Sequence, residues 1–516
     1  MNYGFIIDNR KCIGCHACTV ACKSEHEVPV GVNRTWVKYI EKGEFPDTRR
    51  LFSVMRCNHC ADAPCVEICP VTALFTRKDG IVDFDDRRCI GCKACTQACP
   101  YDAIYMHPDD HTSAKCNYCT HRVDIGLEPA CVNVCPEHAI ISGDMDNPAT
   151  EISQLLAREN VSVRKPEKGT NPKLFYIDGD KASLDPTAAH PDSDYMWSSQ
   201  RYGVGHYAKF AEQRKAEKQI SQPIQIEPRE KKPRRVYDAP GKGVLWGWEV
   251  SAYVWTKAIS AGAFLIVNFF LTFSEVPILL KMIGNGIALF FLMLTGVLLI
   301  KDLGRPERFI YTLLRPQWRS WLTRGSYIIT VYGAILTAWW IAVFFKQFQW
   351  LNLIEWLGIV PAFMTAVYTA FLFAQAKGRD FWQSPILGLH MILHSIIAGA
   401  AALMLANLWF HFDGPWIRGM QGWTVIFLII GLITLTLELV TTHPTADAKT
   451  TVTSITKGRY GLAFWLGMVL AGSVVPLAMF IFAPAATVAP GALLILIGVY
   501  IGEHIWVRAP QQIPLS

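Results

Sequence analysis

Residues 89–100 read CIGCKACTQACP, which places cysteines at 89, 92, 95 and 99 and a proline directly after the last of them. Thiolates at every third residue let one tight loop hold three irons of a cubane cluster, while the fourth cysteine turns away to a neighbouring cluster. Residues 12–22 repeat this spacing as CIGCHACTVAC, with Lys23 instead of proline after the last cysteine. Because pairs of such runs build two-cluster ferredoxin modules, this stretch decides the fold of the N-terminal part.

Two groups with wider spacing complete the set of sixteen cysteines. They are Cys57, Cys60, Cys65 and Cys69, followed by Pro70, and Cys116, Cys119, Cys131 and Cys135, followed by Pro136. Zinc is the first alternative, but zinc sites favour paired cysteines with wider separation between the pairs. Disulfides are the second, but the start MNYGFIIDNR looks like a first strand and not like a secretory signal. Since every group keeps four cysteines, the sequence predicts four 4Fe-4S clusters and no three-iron cluster.

The two halves of the chain differ sharply in composition. All cysteines lie between Cys12 and Cys135, and all tryptophans except Trp36 and Trp197 lie beyond residue 245. The net charge is +6, and no basic stripe carries interleaved aromatic residues. A nucleic acid is therefore not an expected partner.

We expect three regions along the 516 residues. Residues 1–145 form a four-cluster ferredoxin-like domain. Residues 146–243 are polar, rich in Pro, Asp and Lys, and end in a basic run of Arg229, Lys231, Lys232, Arg234 and Arg235. They are interpreted as an arm or linker, either a solvated tether with a basic patch beside the membrane or an arm that wraps a partner subunit. Residues 244–516 form a membrane domain.

The membrane domain is predicted from apolar stretches that are each long enough to cross a bilayer. About eight spanning helices are expected, near residues 250–272, 284–304, 325–346, 353–374, 386–408, 422–442, 461–483 and 489–507. Trp and Tyr cluster at their ends, as an interfacial belt requires. A soluble bundle is excluded because so many consecutive apolar helices would leave no polar face for water. Membrane lipid is thus an expected partner.

An even number of spans places both ends of the membrane domain on one side. That side carries Lys301, Arg305, Arg308, Arg315, Arg319, Arg324, Lys377, Arg379, Lys449, Lys457, Arg459 and Arg508, and the opposite loops carry Lys281, Lys346 and Arg418. The positive-inside rule then predicts a protein of the inner (cytoplasmic) membrane with its iron–sulfur domain in the cytoplasm. The arginine-rich loop after the second span could serve function instead.

The four cysteine groups, with the insertion before Cys131, resemble the electron-transfer subunit of the dimethyl sulfoxide reductase family of molybdenum enzymes. The resemblance implies that groups one and four share a module, as do groups two and three. The implied ligand quartets, from the catalytic subunit to the membrane, are Cys12, Cys15, Cys18 and Cys135; Cys116, Cys119, Cys131 and Cys22; Cys57, Cys60, Cys65 and Cys99; and Cys89, Cys92, Cys95 and Cys69. Lys93, Lys115 and Arg122 are basic neighbours that either raise cluster potentials or are ordinary surface residues.

The apolar half resembles the NrfD-type family, the membrane subunit of polysulfide reductase and its relatives. The matching stretches are YVWTKAISAG at 253–262, KDLGRPER at 301–308, SWLTRG at 320–325, YTAFL at 368–372 and RAPQQIPLS at 508–516. Such proteins oxidise or reduce a membrane quinone without a bound haem. The resemblance therefore implies a quinone, menaquinone or ubiquinone, as substrate.

Four residues are candidates for the quinone site. Tyr253 and Lys257 are four apart and share a helix face, and Asp302 and Arg305 follow the second span. Ionisable groups inside a membrane are costly and are functional candidates by default, and these four could supply hydrogen bonds and protons to a quinone. The alternatives are an interfacial anchor for Tyr253 and, for Asp302 and Arg305, a helix-end salt bridge that fixes the loop.

Other polar residues in the membrane half leave more than one interpretation open. Glu438 and His443 either belong to a proton path or lie at the interface. His390 and His394 share one face of the fifth span, and a bis-histidine haem normally needs ligands from two facing helices, so no haem is expected. They are interpreted as histidines packed against other helices that line a proton route.

The expected fold is thus an α+β ferredoxin-like double module joined to an all-α polytopic membrane domain. The two resemblances imply the electron-transfer and membrane-anchor subunit of a respiratory oxidoreductase, serving a separate molybdopterin- or tungstopterin-dependent catalytic subunit. This chain shows no pterin-binding domain, flavin fingerprint or nickel ligand set, so the substrate chemistry is expected on that other subunit. The alternatives are the same module in a hydrogenase or multihaem cytochrome complex, and a transporter or sensor that carries clusters.

Overall fold

The computed structural model describes residues 1–43, 46–191, 233–239, 241–271, 276–412, 414–441, 443, 445–482 and 487–516. Its N-terminal part mixes short strands and short helices. The strands are β1 (Tyr3–Asp8), β2 (Thr35–Lys42), β3 (Arg49–Arg56), β4 (Leu74–Thr76), β5 (Val82–Phe84), β6 (Ile104–Met106), β7 (Ser113–Lys115), β8 (Ile140–Asp144), β9 (Val161–Ser162), β10 (Leu174–Ile177), β11 (His190–Pro191) and β12 (Arg234–Tyr237). The helices are α1 (Ala17–Glu25), α2 (Pro64–Ile68), α3 (Ala94–Ala98), α4 (Thr120–Val123), α5 (Ala130–Asn133), α6 (Glu151–Arg158) and α7 (Lys181–Leu184).

Two four-stranded sheets and two hairpins organise this ferredoxin-like part. The first sheet has the order β8-β1-β10-β9 and the second the order β11-β12-β2-β3, while β4 pairs with β5 and β6 with β7. In β1 the alternation of a strand sends Phe5 and Ile7 into the core around the cysteines and Ile6 to the opposite face. The cysteine loops thus lie over a sheet with two buried faces.

The iron–sulfur domain extends past residue 145, where the sequence predicted a linker. Strand β10 pairs in parallel with β1, with Phe5 opposite Leu174, and α6 packs Ile152 beneath the same sheet. Strand β12 pairs with β2, so Arg234 and Arg235 belong to a sheet and not to a free basic patch. The linker prediction is wrong for residues 146–191, because elements of two to eight residues among polar neighbours show no sustained apolar period. Residues 192–232, with Arg229, Lys231 and Lys232, lie outside the described residues.

The second part contains eight long apolar helices, as predicted. In chain order, membrane helices 1–8 are Trp248–Phe270, Ile278–Lys301, Trp321–Phe344, Phe348–Gln375, Leu387–Phe410, Gly414–Val440, Ala463–Phe482 and Val488–Gln512. A shorter helix, Ala446–Thr456, lies between helices 6 and 7. Membrane helix 1 has 89% of its apolar core buried, against 22–33% for helices 2, 3, 6 and 7. Helix 1, which carries Tyr253 and Lys257, is therefore the central helix of the bundle.

Membrane helices 1 and 5 touch through glycine. A side chain at Gly262 would overlap the carbonyl group of Ser395, and one at Gly399 would overlap the backbone of Gly262. Small residues let helix backbones approach closely in a membrane, where packing replaces the hydrophobic effect as the main attraction. This crossing fixes the position of helix 5, and with it His390 and His394, against helix 1.

The two parts share a polar interface near the end of membrane helix 8. The side-chain amide of Gln97 donates to Gln511 Oε1 at 3.0 Å, and the backbone N–H of Trp246 donates to the same oxygen at 3.0 Å. Arg379 is buried and donates to Gln97 Oε1 at 3.1 Å and to the carbonyl of Pro510 at 3.0 Å. Both ends of the membrane domain therefore lie against the iron–sulfur domain, as an even number of spans requires.

Candidate functional site

The tightly spaced cysteine groups have the same backbone conformation. Gly14 and Gly91 both have φ near +71°, and His16 and Lys93 both have φ near +61°. A side chain at Gly14 would clash with the Phe52 ring, and only glycine takes such left-handed angles without strain. These left-handed residues curl each loop so that its thiols face one space, which explains why CIGC occurs in both groups.

Backbone N–H groups are aimed at the cysteine sulfurs. Ala73 donates to Cys69 Sγ at 3.2 Å, Ser113 donates to Cys89 Sγ at 3.3 Å, and Ala139 donates to Cys135 Sγ at 3.2 Å. A hydrogen bond to an ionised group is stronger than one to a neutral group, so these donors favour the thiolate. Thiolates in this setting are the ligands that iron–sulfur clusters use, and hydrogen bonds to sulfur tune cluster potentials.

The cysteines that share a space come from different groups. Burial raises the pKa of the Cys22 thiol, and Cys116, Cys131 and Cys119 raise it further. The pKa of Cys12 is likewise raised by burial, with Cys135 and Cys15 adding to the effect. For Cys65 the neighbours that raise the pKa after burial are Cys99, Cys57 and Cys60, and for Cys95 they are Cys92, Cys89 and Cys69. The structure thus brings together the quartets that the sequence resemblance implies.

The spacing of the sulfurs suits a group larger than a single ion. Four thiolates around zinc would hold their sulfurs about 3.8 Å apart, given zinc–sulfur bonds of about 2.3 Å. Among the described residues, which include all sixteen cysteines as free thiols, no three cysteine sulfurs lie within 4.8 Å of one another. The quartets therefore fit iron–sulfur clusters better than zinc. When bound, such clusters supply one-electron transfer.

A fully buried arginine lies among the cysteines of two quartets. Arg56, at the end of β3, donates from Nη1 to Cys131 Sγ at 3.2 Å and stacks over the Phe5 ring at 4.5 Å. Its other charged neighbours include Cys18 and Cys116, and its Nε and Nη2 have no hydrogen-bond partner among the described residues. A buried guanidinium needs an anionic partner, which anionic clusters would supply. Arg56 was not predicted as a site residue, although an arginine directly before Cys57 was visible in the sequence.

Of the basic residues noted in the sequence, Lys115 lies at the cysteines and Arg122 does not. Lys115 is buried, and its Nζ donates to the carbonyl of Cys116 at 2.8 Å and to that of Val82. Arg122 is instead partly exposed and pairs with Glu25 at 3.4 Å. The position of Lys115 suits a role at the clusters, whereas Arg122 makes a surface ion pair.

A pocket of about 200 Å³ opens between the membrane helices and the loop that carries Cys92. Cys92 lines this pocket together with Tyr253 and Asp302, two of the predicted residues. Tyr368 also lines it; this tyrosine belongs to the YTAFL stretch but was not predicted as a site residue. Trp246 closes one wall, and its Nε1 donates to the Cys92 carbonyl at 3.1 Å. The pocket is mostly apolar, with a few polar groups, as small-molecule sites commonly are.

Asp302 connects the pocket to the cysteine loop. Lys93 Nζ donates to Asp302 Oδ1 at 2.9 Å and to the Asp302 carbonyl at 2.8 Å. Burial raises the pKa of Asp302 to about 6, and Lys93 opposes that rise. The carboxyl group can therefore gain and lose a proton near neutral pH, next to a residue that follows a cluster ligand.

The other two predicted residues do not line the pocket. Lys257 lies behind it, donating from Nζ to Thr369 Oγ1 at 2.7 Å and lying 4.8 Å from the centre of the Tyr368 ring. Arg305 faces the surface, where its Nε donates to the Asp110 carbonyl at 2.7 Å. Both residues form ion pairs at the end of membrane helix 2, Asp302 with Lys93 and Arg305 with Asp110 and Glu307, as the alternative of a helix-end salt bridge expects. Arg305 fixes the loop to the iron–sulfur domain.

The membrane histidines form a separate group. His394 Nδ1 lies 2.8 Å from Glu503 Oε1, and His390 Nδ1 lies 3.7 Å from Glu438 Oε2. His443 lines a different, surface cavity that Glu438 also borders. His390, His394 and Glu438 were candidates from the sequence, whereas Glu503 was not.

Comparisons with known proteins agree with both parts. The family described as polysulphide reductase, NrfD, matches residues 239–508, which is more than half of the chain. Two families that are both described as 4Fe-4S dicluster domain match residues 11–74 and residues 48–145.

Proteins similar to this chain are subunits of named reductases. A subunit of the tetrathionate reductase of Salmonella typhimurium is 43% identical over 188 residues, 36% of this chain and 75% of that protein. A subunit of the polysulfide reductase of Wolinella succinogenes is 40% identical over 188 residues, 36% of this chain and 97% of that protein. The iron–sulfur subunit ArrB of the arsenate respiratory reductase of a Shewanella species is 34% identical over 227 residues, 34% of this chain and 96% of that protein. The chain therefore belongs to the NrfD family, and it joins in one polypeptide a multi-pass membrane protein of that family and the iron–sulfur subunit of an oxidoreductase.

Proposed function

We propose that this chain carries electrons through four 4Fe-4S clusters between a separate molybdopterin- or tungstopterin-dependent subunit and the membrane quinone pool. The observation that carries the proposal is the pocket in which Cys92 of the cysteine loop and Tyr253 of membrane helix 1 line the same space. A quinone bound there would lie directly against a cluster ligand. The names of the similar proteins, subunits of tetrathionate, polysulfide and arsenate reductases, support a catalytic partner subunit.

Exposure supports the two ends of the proposed order of quartets. Cys15 is exposed, and its neighbour Ile13 is 54% exposed, so the first quartet reaches the surface that a partner subunit can approach. The quartet with Cys92 reaches the membrane pocket. This arrangement supports an electron path between the partner subunit and the membrane, in either direction.

Reduction of a quinone consumes two electrons and two protons, and the pocket offers groups for the protons. The Tyr253 hydroxyl and the Asp302 carboxyl both border it, and hydroxyl or protonated carboxyl groups can donate to quinone carbonyls. Asp302 exchanges its proton near pH 6. Lys257 contacts the Tyr368 ring and is therefore a positioning residue in this proposal.

The proposal keeps the location predicted from the sequence. The basic loops lie at the ends of the membrane helices that meet the iron–sulfur domain, where Arg305 and Arg308 donate to its backbone. The positive-inside rule then favours a cytoplasmic iron–sulfur domain in the inner membrane. These contacts also give the arginine-rich loop a docking role, which leaves fewer charges to orient the protein.

Affinity purification from the native membrane tests the partner, with mass spectrometry and metal analysis on the same sample. Molybdenum or tungsten with a large pterin-binding subunit supports the proposal. Nickel, or a multihaem cytochrome without a pterin enzyme, would instead assign the same electron path to a hydrogenase or a cytochrome complex. Adding quinol to the purified complex should reduce the clusters rapidly, and clusters that stay oxidised would contradict quinone reactivity.

A further inference from the structure

Four ionisable side chains from three helices meet inside the membrane bundle, and none of them lines the quinone pocket. His390 and His394 lie on membrane helix 5, Glu438 on helix 6 and Glu503 on helix 8. All four side chains are at most 12% exposed. Ionisable groups at such positions are expensive, so their grouping calls for a reason beyond packing.

The two histidines are arranged as a chelating pair. They are four residues apart on one helix, which puts them on one face, and their ring centres are 4.0 Å apart. Ligand atoms of His390, His394 and Glu503 all lie within 4.8 Å of one another. In the part of the chain that the structure describes, no other three histidine, cysteine or carboxylate groups come this close.

A carboxylate lies beside each ring, within hydrogen-bond distance at His394 and beyond it at His390. His394 Nδ1 is 2.8 Å from Glu503 Oε1, and His390 Nδ1 is 3.7 Å from Glu438 Oε2. Metal-binding histidines commonly use one ring nitrogen for the metal while the other faces a carboxylate, which fixes the tautomer. Glu438 has this position at His390, whereas Glu503 is close enough to both histidines to be a ligand itself. Trp506 stacks on His390 at 5.0 Å and restrains its ring further.

One ring nitrogen of His390 is available to bind a metal ion. Its Nε2 is buried and has no hydrogen-bond partner among the described residues. As the N–H of an imidazolium it would be an unsatisfied donor, which costs about 1–3 kcal/mol. As a lone pair it is available to a metal. His390 and His394 also border a small cavity of about 30 Å³, so space for an ion exists beside them.

Charge balance favours a divalent cation among these four side chains over a site without an ion. An ionised carboxylate beside two neutral imidazoles puts negative charge in a low-dielectric interior, and a divalent ion offsets that charge. Imidazole nitrogens select zinc, copper, iron or nickel over magnesium or calcium.

We propose that His390, His394 and Glu503 bind a divalent transition-metal ion inside the membrane domain, with Zn²⁺ as the fitting ion and Glu438 orienting His390. The site joins membrane helices 5 and 8 directly and helix 6 through Glu438. It also lies near the quinone pocket, since Glu503 is an electrostatic neighbour of both Lys257 and Tyr253.

The test is zinc binding by the full-length protein, purified with its partners and equilibrated with Zn²⁺. Zinc and iron are measured on the same sample, so that iron reports cluster content. We expect stoichiometric zinc in the native protein and its loss in the double variant His390→Gln and His394→Gln, with iron unchanged. The matched control is His504→Gln, a histidine on membrane helix 8 that contacts Arg508, and it should keep its zinc. Glu438→Gln should weaken zinc binding about 10–100-fold.

X-ray absorption at the zinc edge on the native protein tests the ligands without a variant. Nitrogen and oxygen ligands at about 2.0–2.1 Å support the site, whereas sulfur at about 2.3 Å would mean zinc in the cysteine quartets and would overturn it. Native protein with full iron and no more zinc than the double variant would also overturn it. In that case the four side chains form ion pairs only. None of these readouts depends on quinone turnover, so the proposed function and this site can fail separately.

Discussion

Replacing Arg56 with glutamine should make two clusters harder to reduce. The guanidinium is buried, lies 3.2 Å from Cys131 Sγ, and is close to Cys18 and Cys116 of the two adjoining quartets. Its positive charge stabilises the electron that a cluster gains, and glutamine removes that charge while keeping a polar side chain of intermediate length. We therefore expect lower midpoint potentials for these clusters and unchanged potentials for the quartet that contains Cys92.

The size of the shift follows from the distance. With a metal–sulfur bond of about 2.3 Å beyond the sulfur, the charge lies about 5.5 Å from the reducible metal. At an effective dielectric constant of about 20, one electron at that distance gains about 3 kcal/mol. At 59 mV for each tenfold change in a one-electron equilibrium, this corresponds to about 130 mV, and water entering the smaller side chain's space will reduce it.

The assay is a redox titration of the purified protein followed by electron paramagnetic resonance, with iron content measured in parallel. Arg56→Lys, which keeps the charge, should recover most of the potential. Arg122→Gln is the matched control, because Arg122 belongs to the same domain but makes a surface ion pair with Glu25. Potentials that stay at native values in Arg56→Gln with full iron content would refute the electrostatic argument, as would an equal shift in Arg122→Gln.

Three further predictions concern the membrane half. Tyr253→Phe removes a hydrogen-bond donor from the pocket, and Lys257→Met removes the residue that supports Tyr368 behind it. Stopped-flow measurements should show that either change slows quinol-dependent cluster reduction at least several-fold with iron content intact. Loss of iron would indicate a structural role instead. The Asp302 carboxyl, with a pKa of about 6 because burial disfavours its charge, is protonated below that pH and ionised above it. Asp302→Asn should therefore flatten the pH dependence of turnover around pH 6, and a native-like profile would exclude Asp302 as the titrating group. Gly262→Leu should separate membrane helices 1 and 5 and cost at least about 1–3 kcal/mol of stability. Thermal unfolding in detergent measures this loss, and Gly422→Ala, where no atom lies within 4 Å, should leave the melting temperature unchanged.

Spacing rules made much of the fold predictable. The cysteine runs dictate their loops because Gly14 and Gly91 must take the same left-handed turn. The eight membrane helices were predicted because length and apolar content alone define a span. The second helix, expected near 284–304 and found at Ile278–Lys301, shows that the boundaries were less certain.

The remainder depends on contacts that no local pattern encodes. Strand β10 has four residues, too few for an apolar period, and belongs to the first sheet only because β1 lies beside it. Lys93 and Asp302 are 209 residues apart, so their ion pair required the docking of two domains. Arg305 was predicted for the quinone site from its place in the same loop, but the docked domains place it on Asp110 outside the pocket lining.

The interface at Gln511 has a consequence for how the protein is made. Gln511 bonds to Gln97 and Trp246, and Arg164 donates to the carbonyl of Leu515 at 3.1 Å. A ribosome synthesises these C-terminal residues after all the cysteines and almost all of the eight membrane helices. The polar interface between the iron–sulfur domain and the membrane domain can therefore be completed only late in biogenesis. By then the N-terminal half has left the ribosome and the helix bundle has entered the bilayer. Until then Gln97 and Trp246 lack the Gln511 side chain that joins them, and Arg164 lacks the carbonyl of Leu515.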